Sequence, residues 1–302
     1  MQQQCRRARA SVRHDRRTRL RLRCDCSPPR LDRDPCVPAA DHLRATLASV
    51  TAQRLDEMEI VVLDNNSTDG TAEILGKARD GRIRVERNKT TLPLADNWNA
   101  AVESARGDLI KLLCADDLIS PDCIERQASI LSDDSDVALV ACRVDMIDDA
   151  GRAVRRDRGL RGLTGRRPSR EVIRKVVRSG GNPLGPPAAV MFRRRDFDAV
   201  GGFDGDFTFP MELELWTRLL RTGSFVGDPA TLASFRVSST SITSTLGMRT
   251  QMSEHHEFVQ RLAANRHWRI PRGDLAVASI NSRTMQVRRT ALQLRARATA
   301  HR

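Results

Sequence analysis

The stretch EIVVLDNNSTDGTAEIL, residues 59–75, decides the fold of this chain. Its apolar run over 59–64 predicts a buried strand that ends at Asp64, and after a polar turn DGTAEILGKARD (69–80) predicts a helix. Open α/β sheets bind ligands at the carboxyl ends of their strands, so Asp64 is a candidate to accept a hydrogen bond from a nucleotide base or ribose. The alternative interpretation is that Asp64 and Asp69 only cap the turn and the helix.

The segments around this stretch alternate between helical and strand patterns. Helices are predicted at 41–53, 94–107, 120–131, 212–223 and 248–268, strands at 82–87, 108–114, 137–144 and 188–194, and a basic helix or a tail at 275–302. Ser120 is expected to cap its helix, and 151–170 to form an irregular loop. The almost continuously apolar strand at 108–114 is expected in the centre of the sheet. The pattern as a whole predicts an α/β fold.

The net charge of +13 is concentrated at the two ends of the 302-residue chain. Residues 1–40 carry +7 and residues 261–302 carry +9, which leaves −3 for the part between them. Basic ends favour contact with anionic lipid or nucleic acid, or they are simply solvated. No apolar run reaches the ~18 residues of a membrane span, and no secretory signal is evident, so we expect a cytoplasmic protein whose cysteines are thiols.

A second acidic stretch is LLCADDLISPD, residues 112–122. Asp116 and Asp117 directly follow the apolar strand, again at its carboxyl end. Adjacent carboxylates repel each other unless a cation or hydrogen-bond donors compensate. A hard divalent cation that bridges to a substrate diphosphate is the natural partner. The alternative is that Asp117 only begins a turn before the next helix.

The third stretch, GGFDGDFTFPMELELWTRLL (201–220), brings Glu212 and Glu214 to the first turn of a helix. Residues two positions apart cannot share a helix face, so one carboxylate is expected at a site and the other elsewhere. The alternative is that both only favour the helix N-terminus, by ~0.3–1 kcal/mol. Arg218 is expected to pair with Glu214, and Trp216 to lie in the core rather than form an acceptor platform.

Together the three stretches resemble the family 2 glycosyltransferases of the GT-A fold, which are inverting and use nucleotide sugars. The resemblance covers about 41–236. It implies a Rossmann-like α/β domain over 41–245, with a mostly parallel mixed central sheet and helices on both faces. Residues 246–302 then form a basic helical extension, and 1–40 an Arg-rich segment outside the family pattern.

The resemblance also implies roles for five residues. Asp64 holds the base or ribose of the donor, Asn97 contacts the donor, and Asp116 contacts ribose or sugar. Asp117 ligates Mg²⁺ or Mn²⁺ on the diphosphate, and Glu212 is the general base that deprotonates the acceptor hydroxyl. A UDP-sugar is the expected donor, and a glycan or a lipid-linked molecule the expected acceptor. The loops at 182–187 and 151–170 are expected to face the acceptor.

The sequence departs from the family pattern in three places. Cys114 stands where many relatives have Asp, and Glu212 is one methylene longer than the usual Asp, which matters because a misplacement of ~1 Å can cost ~10²-fold in rate. LDRDPCVPAA (31–40) replaces the apolar first strand of the relatives, so we expect the sheet to lack that strand. One base later, the codons of 32–38 permit Thr-Val-Ile-Pro-Ala-Tyr. Our hypothesis is therefore a frameshift over about 1–38, which resequencing tests.

These observations favour a metal-assisted enzyme of surface polysaccharide or other glycan biosynthesis. One alternative is a catalytically impaired relative that only binds nucleotide sugars. A nucleic-acid binder is a third reading, but aromatic residues make up only 4% of the chain and no nucleic-acid module is recognisable, so no nucleic acid is expected. The basic C-terminal segment predicts peripheral contact with the inner face of the membrane. No metal role is expected for His255 and His256.

Overall fold

The computed structural model describes residues 18–24, 39–237, 246–282 and 284. The strands are β1 (Thr18–Cys24), β2 (Ile60–Asp64), β3 (Ile83–Arg87), β4 (Leu109–Cys114), β5 (Leu118–Ile119), β6 (Val137–Ile147), β7 (Ala153–Arg158), β8 (Gly165–Arg167), β9 (Val190–Arg193) and β10 (Ser224–Arg236). The helices are α1 (Ala39–Thr51), α2 (Thr71–Gly76), α3 (Leu94–Ser104), α4 (Cys123–Asp133), α5 (Ser169–Ser179), α6 (Arg194–Val200), α7 (Met211–Leu219), α8 (Met248–Ala264) and α9 (272–282), with a 3₁₀ turn at Pro187–Ala189.

The strands form one mixed sheet in the order β3-β2-β1-β4-β9-β6-β10-β5, with β7 beside β6 and β8 beside β10. Strands β1 to β4 are parallel to one another, and β9 runs antiparallel between β4 and β6. Because β10 is parallel to β6, the carboxyl ends of β2, β4, β6 and β10 all lie at the same edge of the sheet. This edge is where an open α/β sheet binds its ligand.

The centre of the sheet consists of the apolar strands. All five residues of β2 and the first five of β4 are buried, because helices cover both faces of a largely parallel sheet. The prediction that β4 lies centrally is confirmed by its position between β1 and β9. Trp216 is fully buried and lies 5.6 Å from the ring of Phe192, which confirms it as a core residue.

Strand β1 corrects the expectation that the first strand is missing and that residues 1–40 hold no regular element. Its backbone pairs in parallel with β2 on one side and with β4 on the other. The sequence TRLRLRC alternates with period two, which is the signal of a strand. This signal is weak beside the apolar strands of the chain, because three of the seven residues are arginines. Residues 25–38 lie outside the described residues. The frameshift and the domain boundaries remain predictions.

Other sequence expectations differ from the structure where pairing partners decide the outcome. The region 151–170 is not an irregular loop: it contains β7 and β8, which pair with β6 and β10. Strand β10 itself was not predicted. Helix α4 begins at Cys123 with Asp122 in the N-cap position, and Ser120 donates its hydroxyl to the Asp122 carboxylate at 2.8 Å instead of capping the helix.

The described C-terminal region contains two helices, α8 and α9, joined by the non-helical residues 265–271. Within the described ranges, none of the helices has the length and apolar character that crossing a membrane requires. Residues beyond 284 lie outside the described residues, so the predicted membrane contact through them stays a prediction.

Candidate active site

The tip of β2 is a turn organised by Asp64. This carboxylate is almost completely buried, and its Oδ1 accepts hydrogen bonds from the backbone N–H of Ser67 at 2.9 Å and from the Ser67 hydroxyl. Arg87 Nε lies 3.6 Å from its Oδ2. Asn66 adopts a φ of 62°, a left-handed conformation that asparagine tolerates better than most residues. Asp64 therefore accepts the hydrogen bonds that cap this turn, as the alternative interpretation predicts.

A chain of amides links this turn to α3. Asn65 Oδ1 accepts from the N–H of Leu92 at 2.9 Å and from Asn88 Nδ2 at 2.8 Å. The same Asn88 Nδ2 donates to Asn97 Oδ1 at 2.9 Å. Asn97 is fully buried, and its Nδ2 has no partner among the described residues. Since buried amides are normally satisfied, this donor is a candidate ligand contact.

The last residue of β4 and the turn after it bring three metal-ligating groups together. One ligand atom each of Cys114, Asp116 and Asp117 lies within 4.8 Å of the others. Asp117 is fully buried; its Oδ1 accepts from the backbone N–H of Arg236 at 3.0 Å, whereas its Oδ2 has no partner in the described part of the chain. Burial, and secondly the charge of Asp116, raise the pKa of the Asp117 carboxyl well above its usual value.

Arg236 stabilises the turn that carries Asp116 and Asp117. It is almost completely buried at the carboxyl end of β10, and its Nε donates to the Asp116 carbonyl at 2.9 Å. Its Nη1 donates to the carbonyls of Asp148 and Asp149 at 2.6 and 3.0 Å. Thr46 on α1 fixes the same turn by donating to the Asp117 carbonyl at 2.9 Å. Arg236 carries no signal in the sequence pattern, because strand β10, which places it, is not predicted there.

This donor set fits a divalent cation. Asp117 Oδ2 is a buried acceptor for which the described residues supply no hydrogen-bond donor, and carboxylate oxygens are the ligands that Mg²⁺ and Mn²⁺ prefer. Cys114, which departs from the family pattern, adds a softer ligand that Mg²⁺ disfavours. Asp117, Asp116 and Cys114 are therefore the residues that would hold the ion.

Glu212 lies in the first turn of α7 and contacts the loop before β9. Asn182 Nδ2 lies 3.3 Å from Glu212 Oε1, and the Asn182 Oδ1 accepts from the N–H groups of Leu184 and Gly185, both at 3.0 Å. The Asn182 side chain is thus fixed by its own loop and presents a donor to the carboxylate. The sequence pattern predicts that this loop faces the acceptor, but it does not distinguish Asn182 from its neighbours.

The two glutamates of α7 have different environments, as their spacing predicts. Glu214 is bound by Arg218, with Nε–Oε1 and Nη2–Oε2 distances of 2.7 and 2.5 Å, so the predicted pair is confirmed. Arg218 also donates to the carbonyl of Gly202 at 2.7 Å. Through Arg218, Glu214 therefore stabilises the loop 201–210 before α7, which we call the Gly-Gly-Phe loop. Of the two glutamates, Glu212 is the candidate for the site.

Helix α8 holds the loop that precedes α7. Glu254 Oε2 accepts from the backbone N–H groups of Thr208 at 3.0 Å and Phe209 at 2.7 Å. The neighbouring His255 is buried, and burial together with the charge of His256 lowers its pKa to about 4. No signal in the sequence pattern marks Glu254, because its partners lie about 45 residues away.

Comparison with known sequences finds one family. The description "Glycosyl transferase family 2" matches residues 35–201, more than half of the chain. Protein MT1568 of Mycobacterium tuberculosis (strain CDC 1551 / Oshkosh) is 32% identical over 196 residues, which cover 61% of this chain and 60% of that protein. The Escherichia coli UDP-Glc:alpha-D-GlcNAc-diphosphoundecaprenol beta-1,3-glucosyltransferase WfaP is 35% identical over 77 residues, 26% of this chain and 31% of WfaP. The chain thus spans less than two thirds of the curated relatives it matches.

Solved structures show the same fold. Staphylococcus aureus TarS 1–349 in complex with UDP-GlcNAc superposes with a TM-score of 0.58 at 14% identity, over 82% of this chain and 65% of that one. The mannosyltransferase PcManGT from Pyrobaculum calidifontis, in complex with GDP-Man and Mn²⁺, has a TM-score of 0.54 at 16% identity, over 95% and 81%. The predicted GT-A fold is confirmed. On the match of more than half its length, this chain belongs to glycosyl transferase family 2.

Proposed function

We propose that the chain transfers a sugar from a nucleotide-diphospho-sugar to an acceptor hydroxyl, with inversion and with the help of a divalent cation. The observation that carries this proposal is the cluster of Cys114, Asp116 and Asp117 at the carboxyl edge of the sheet, with the buried Asp117 Oδ2 lacking a partner among the described residues. In a family 2 member, such a cluster would hold the divalent cation to which the diphosphate of the donor binds.

Donor binding is assigned to the β2, α3 and β4 side of the edge. Asp64 accepts a hydrogen bond from the base or ribose, and Asn97 Nδ2, which has no partner within the described ranges, donates one to the nucleotide sugar. Asp116 contacts the ribose or sugar, and Asp117 holds the cation. The support is that the amide chain joins the Asp64 turn to Asn97, so the two groups are positioned as a unit.

Asp117, Asp116 and Cys114 would hold the cation, which would supply positive charge to the diphosphate leaving group. Both neighbours with known ligands hold a nucleotide sugar, UDP-GlcNAc in TarS and GDP-Man with Mn²⁺ in PcManGT. For this chain we propose Mg²⁺ or Mn²⁺ and a UDP-sugar. The protein's own part is to hold Asp117 in place through the backbone N–H of Arg236.

Glu212 is proposed to take the proton from the acceptor hydroxyl as that oxygen attacks the anomeric carbon from the face opposite the diphosphate. A single displacement inverts the configuration at that carbon. Asn182 supports this role because its fixed Nδ2 orients the Glu212 carboxylate. The name of WfaP, which is a glucosyltransferase acting on a diphosphoundecaprenol-linked sugar, supports a role in glycan biosynthesis with a glycan or lipid-linked acceptor.

Calorimetry with UDP, with and without Mn²⁺, tests the donor site. We expect binding that requires Mn²⁺ and that Asp117→Asn abolishes, because the amide cannot neutralise a cation. Asp108→Asn removes an exposed carboxylate at the opposite edge of the sheet and is the matched control. A folded protein that binds neither UDP nor GDP in the presence of Mn²⁺ contradicts the proposal.

Turnover separates this proposal from a catalytically impaired relative. A working enzyme forms a glycoside whose anomeric configuration, read by NMR, is opposite to that of the donor. A protein that binds donor and Mn²⁺ normally but never forms a product with any glycan or lipid-linked acceptor supports the impaired alternative.

A further inference from the structure

A cleft of about 1240 Å³ is lined by none of the residues assigned above to donor binding. Its walls are the segment 157–163, which comprises the end of β7 and the turn after it, helix α5, and residues of 268–282 and Thr284, which include α9. Asn182, which contacts Glu212, lines the same cleft. A molecule that contacts Asn182 in the cleft therefore lies one side chain away from Glu212, the proposed base.

The cleft is strongly basic. Eight Lys or Arg side chains line it, against Asp157 and Glu171 only. Arg174 and Arg178 are bound to Asp274, at 2.7 and 3.6 Å. The other six have no acidic partner among the described residues, and they are Arg143, Arg158, Arg161, Arg170, Lys175 and Arg269. Positive charges so close together repel one another, and a bound anion would offset this unfavourable electrostatic free energy.

The segment 157–163 is held in place by its apolar side chains, which pack in the core. Leu160 and Leu163 are fully buried, while Arg158 and Arg161 between and beside them are exposed. The Leu160 N–H donates to the Pro183 carbonyl at 3.0 Å. The backbone takes positive φ at Leu160, and a well-anchored loop can maintain that conformation. The two arginines are thus presented on a rigid support.

The opposite walls are also firmly held. Arg170, Arg174 and Arg178 are spaced four residues apart along α5, so they share one helix face. The Arg174–Asp274 ion pair joins α5 to α9. At Gly180 the backbone of Asn281 would lie 2.6 Å from an added Cβ, so the two segments are in direct contact. The cleft is a built feature of the fold.

We infer that this cleft binds the diphosphate of the acceptor, an inference that rests on the proposed function. Arginine forks match phosphate oxygens bidentately, and a diphosphate places several negative charges within a few ångströms, whereas a uronic acid offers one per sugar. The volume exceeds the ~300–1,000 Å³ of ordinary small-molecule sites, which leaves room for a sugar beside the phosphates. The acceptor hydroxyl of that sugar then lies towards Asn182 and Glu212.

Binding of inorganic pyrophosphate by calorimetry in EDTA tests the inference, because without a divalent cation the donor site is silent. We expect wild-type binding that weakens about tenfold or more in Arg161→Ala/Arg170→Ala and falls steeply with salt. The matched control, Arg54→Ala/Arg106→Ala, removes two exposed arginines at the amino edge of the sheet and is expected to bind as the wild type does. Unchanged affinity in the cleft variant overturns the inference.

Vesicles distinguish the sources of the diphosphate. Phosphatidylcholine vesicles that contain a polyprenyl diphosphate are compared with phosphatidylcholine vesicles in which phosphatidylglycerol supplies the same total negative charge. Preference for the diphosphate vesicles, lost in the cleft variant, identifies a lipid headgroup; pyrophosphate binding without vesicle binding identifies a soluble diphosphate glycan. Equal binding to both vesicles without pyrophosphate binding, or tighter binding of a single-stranded oligonucleotide, overturns the inference.

UDP binding with Mn²⁺, measured on the same three proteins, keeps the two proposals apart. Nucleotide binding without pyrophosphate binding contradicts the diphosphate cleft alone. Pyrophosphate binding without nucleotide binding contradicts the proposed transfer and leaves an anion site. Normal nucleotide binding by Arg161→Ala/Arg170→Ala also shows that this variant is folded.

Discussion

Asp117 and His255 are both buried ionisable residues, and burial disfavours the charged form of each. Asp117 has one N–H partner and one bare oxygen among the described residues, so its charge needs a cation or a proton. Both ring nitrogens of His255 lack partners in the described structure, so this ring is neutral near pH 7. The first arrangement suits ligand binding, whereas the second only couples stability to pH.

Replacing the proposed base tests its role directly. Glu212→Gln keeps the shape and the contact with Asn182 but cannot accept a proton. We expect kcat to fall by ~10²–10⁴-fold with donor affinity unchanged. The measurement is steady-state transfer together with UDP–Mn²⁺ calorimetry. Glu214→Gln is the comparison: it breaks the pair with Arg218, so it should lower stability more than the chemical step. Wild-type kcat in Glu212→Gln excludes this residue as the base.

His255 predicts a loss of stability in mild acid. Its folded pKa of about 4 lies below the unfolded value near 6.5, so the unfolded chain binds the proton more readily. The free energy of unfolding is therefore full above pH 6.5 and declines as pH falls towards 4, by up to about 3 kcal/mol. Urea titrations at several pH values should show this slope.

The matched variants for this effect are His255→Leu and His256→Gln. The first removes the buried titrating group, so most of the decline between pH 6.5 and 4 should disappear. The second changes an exposed ring and should keep most of it, because burial is the larger cause of the shift. An equal slope in wild type and His255→Leu rules out the buried histidine as its origin.

At the scale of elements, the Gly-Gly-Phe loop decides where α7 begins. Asn99 on α3 holds this loop through two hydrogen bonds with Phe203, from the Phe203 N–H at 2.7 Å and to the Phe203 carbonyl at 2.9 Å. Arg218 binds it from α7, and Glu254 from α8. Three helices thus position the turn that carries Glu212.

The two glycines of this loop make a matched pair. Both have positive φ, 83° at Gly201 and 72° at Gly202, so alanine is strained at either. An added Cβ meets nothing within 4 Å at Gly201, but at Gly202 it lies 2.7 Å from Asn99 Oδ1. We expect Gly201→Ala to cost about 1 kcal/mol of unfolding free energy and Gly202→Ala a further ~1–3 kcal/mol. Equal urea midpoints contradict the close contact.

At the scale of the whole molecule, β1 joins the two sides of the sheet. Its neighbours β2 and β4 carry Asp64 and the acidic pair, so their separation is set by a strand that pairs with both. Arg236 plays a similar part on the other side, because it connects β10 to the turn after β4. The donor site is therefore assembled by strands distant in sequence.

Proline scanning tests whether β1 forms. Arg21→Pro removes an N–H from a strand paired on both sides and should lower the free energy of unfolding by about 3 kcal/mol or more. Arg21→Ala keeps the N–H and is the control for the lost side chain. Chemical denaturation and UDP–Mn²⁺ binding are the readouts. If the two variants are equally stable, residues 18–24 do not pair in the sheet, and the frameshift hypothesis regains its structural basis.

The elements that the sequence predicted are those with a strong local signal. β2, β4 and most of β6 are apolar runs, and α1, α3 and α8 have helical periodicity, so their own residues state what they become. β1, β7 and β8 are rich in arginine, and they become strands because neighbouring strands offer hydrogen-bond partners. Such pairing is not visible in a short window of sequence.

The sequence by itself determined the family, the α/β order and the carboxylates at the ends of β2 and β4, because motif spacing and apolar runs are local properties of a chain. Tertiary structure decided what surrounds those carboxylates. Arg236, Asn182 and Glu254 act through contacts 30 to 120 residues away in sequence, and the basic cleft unites a loop, α5 and the C-terminal segment. Charge and hydrogen-bond geometry depend on distance in space, which only the folded chain defines.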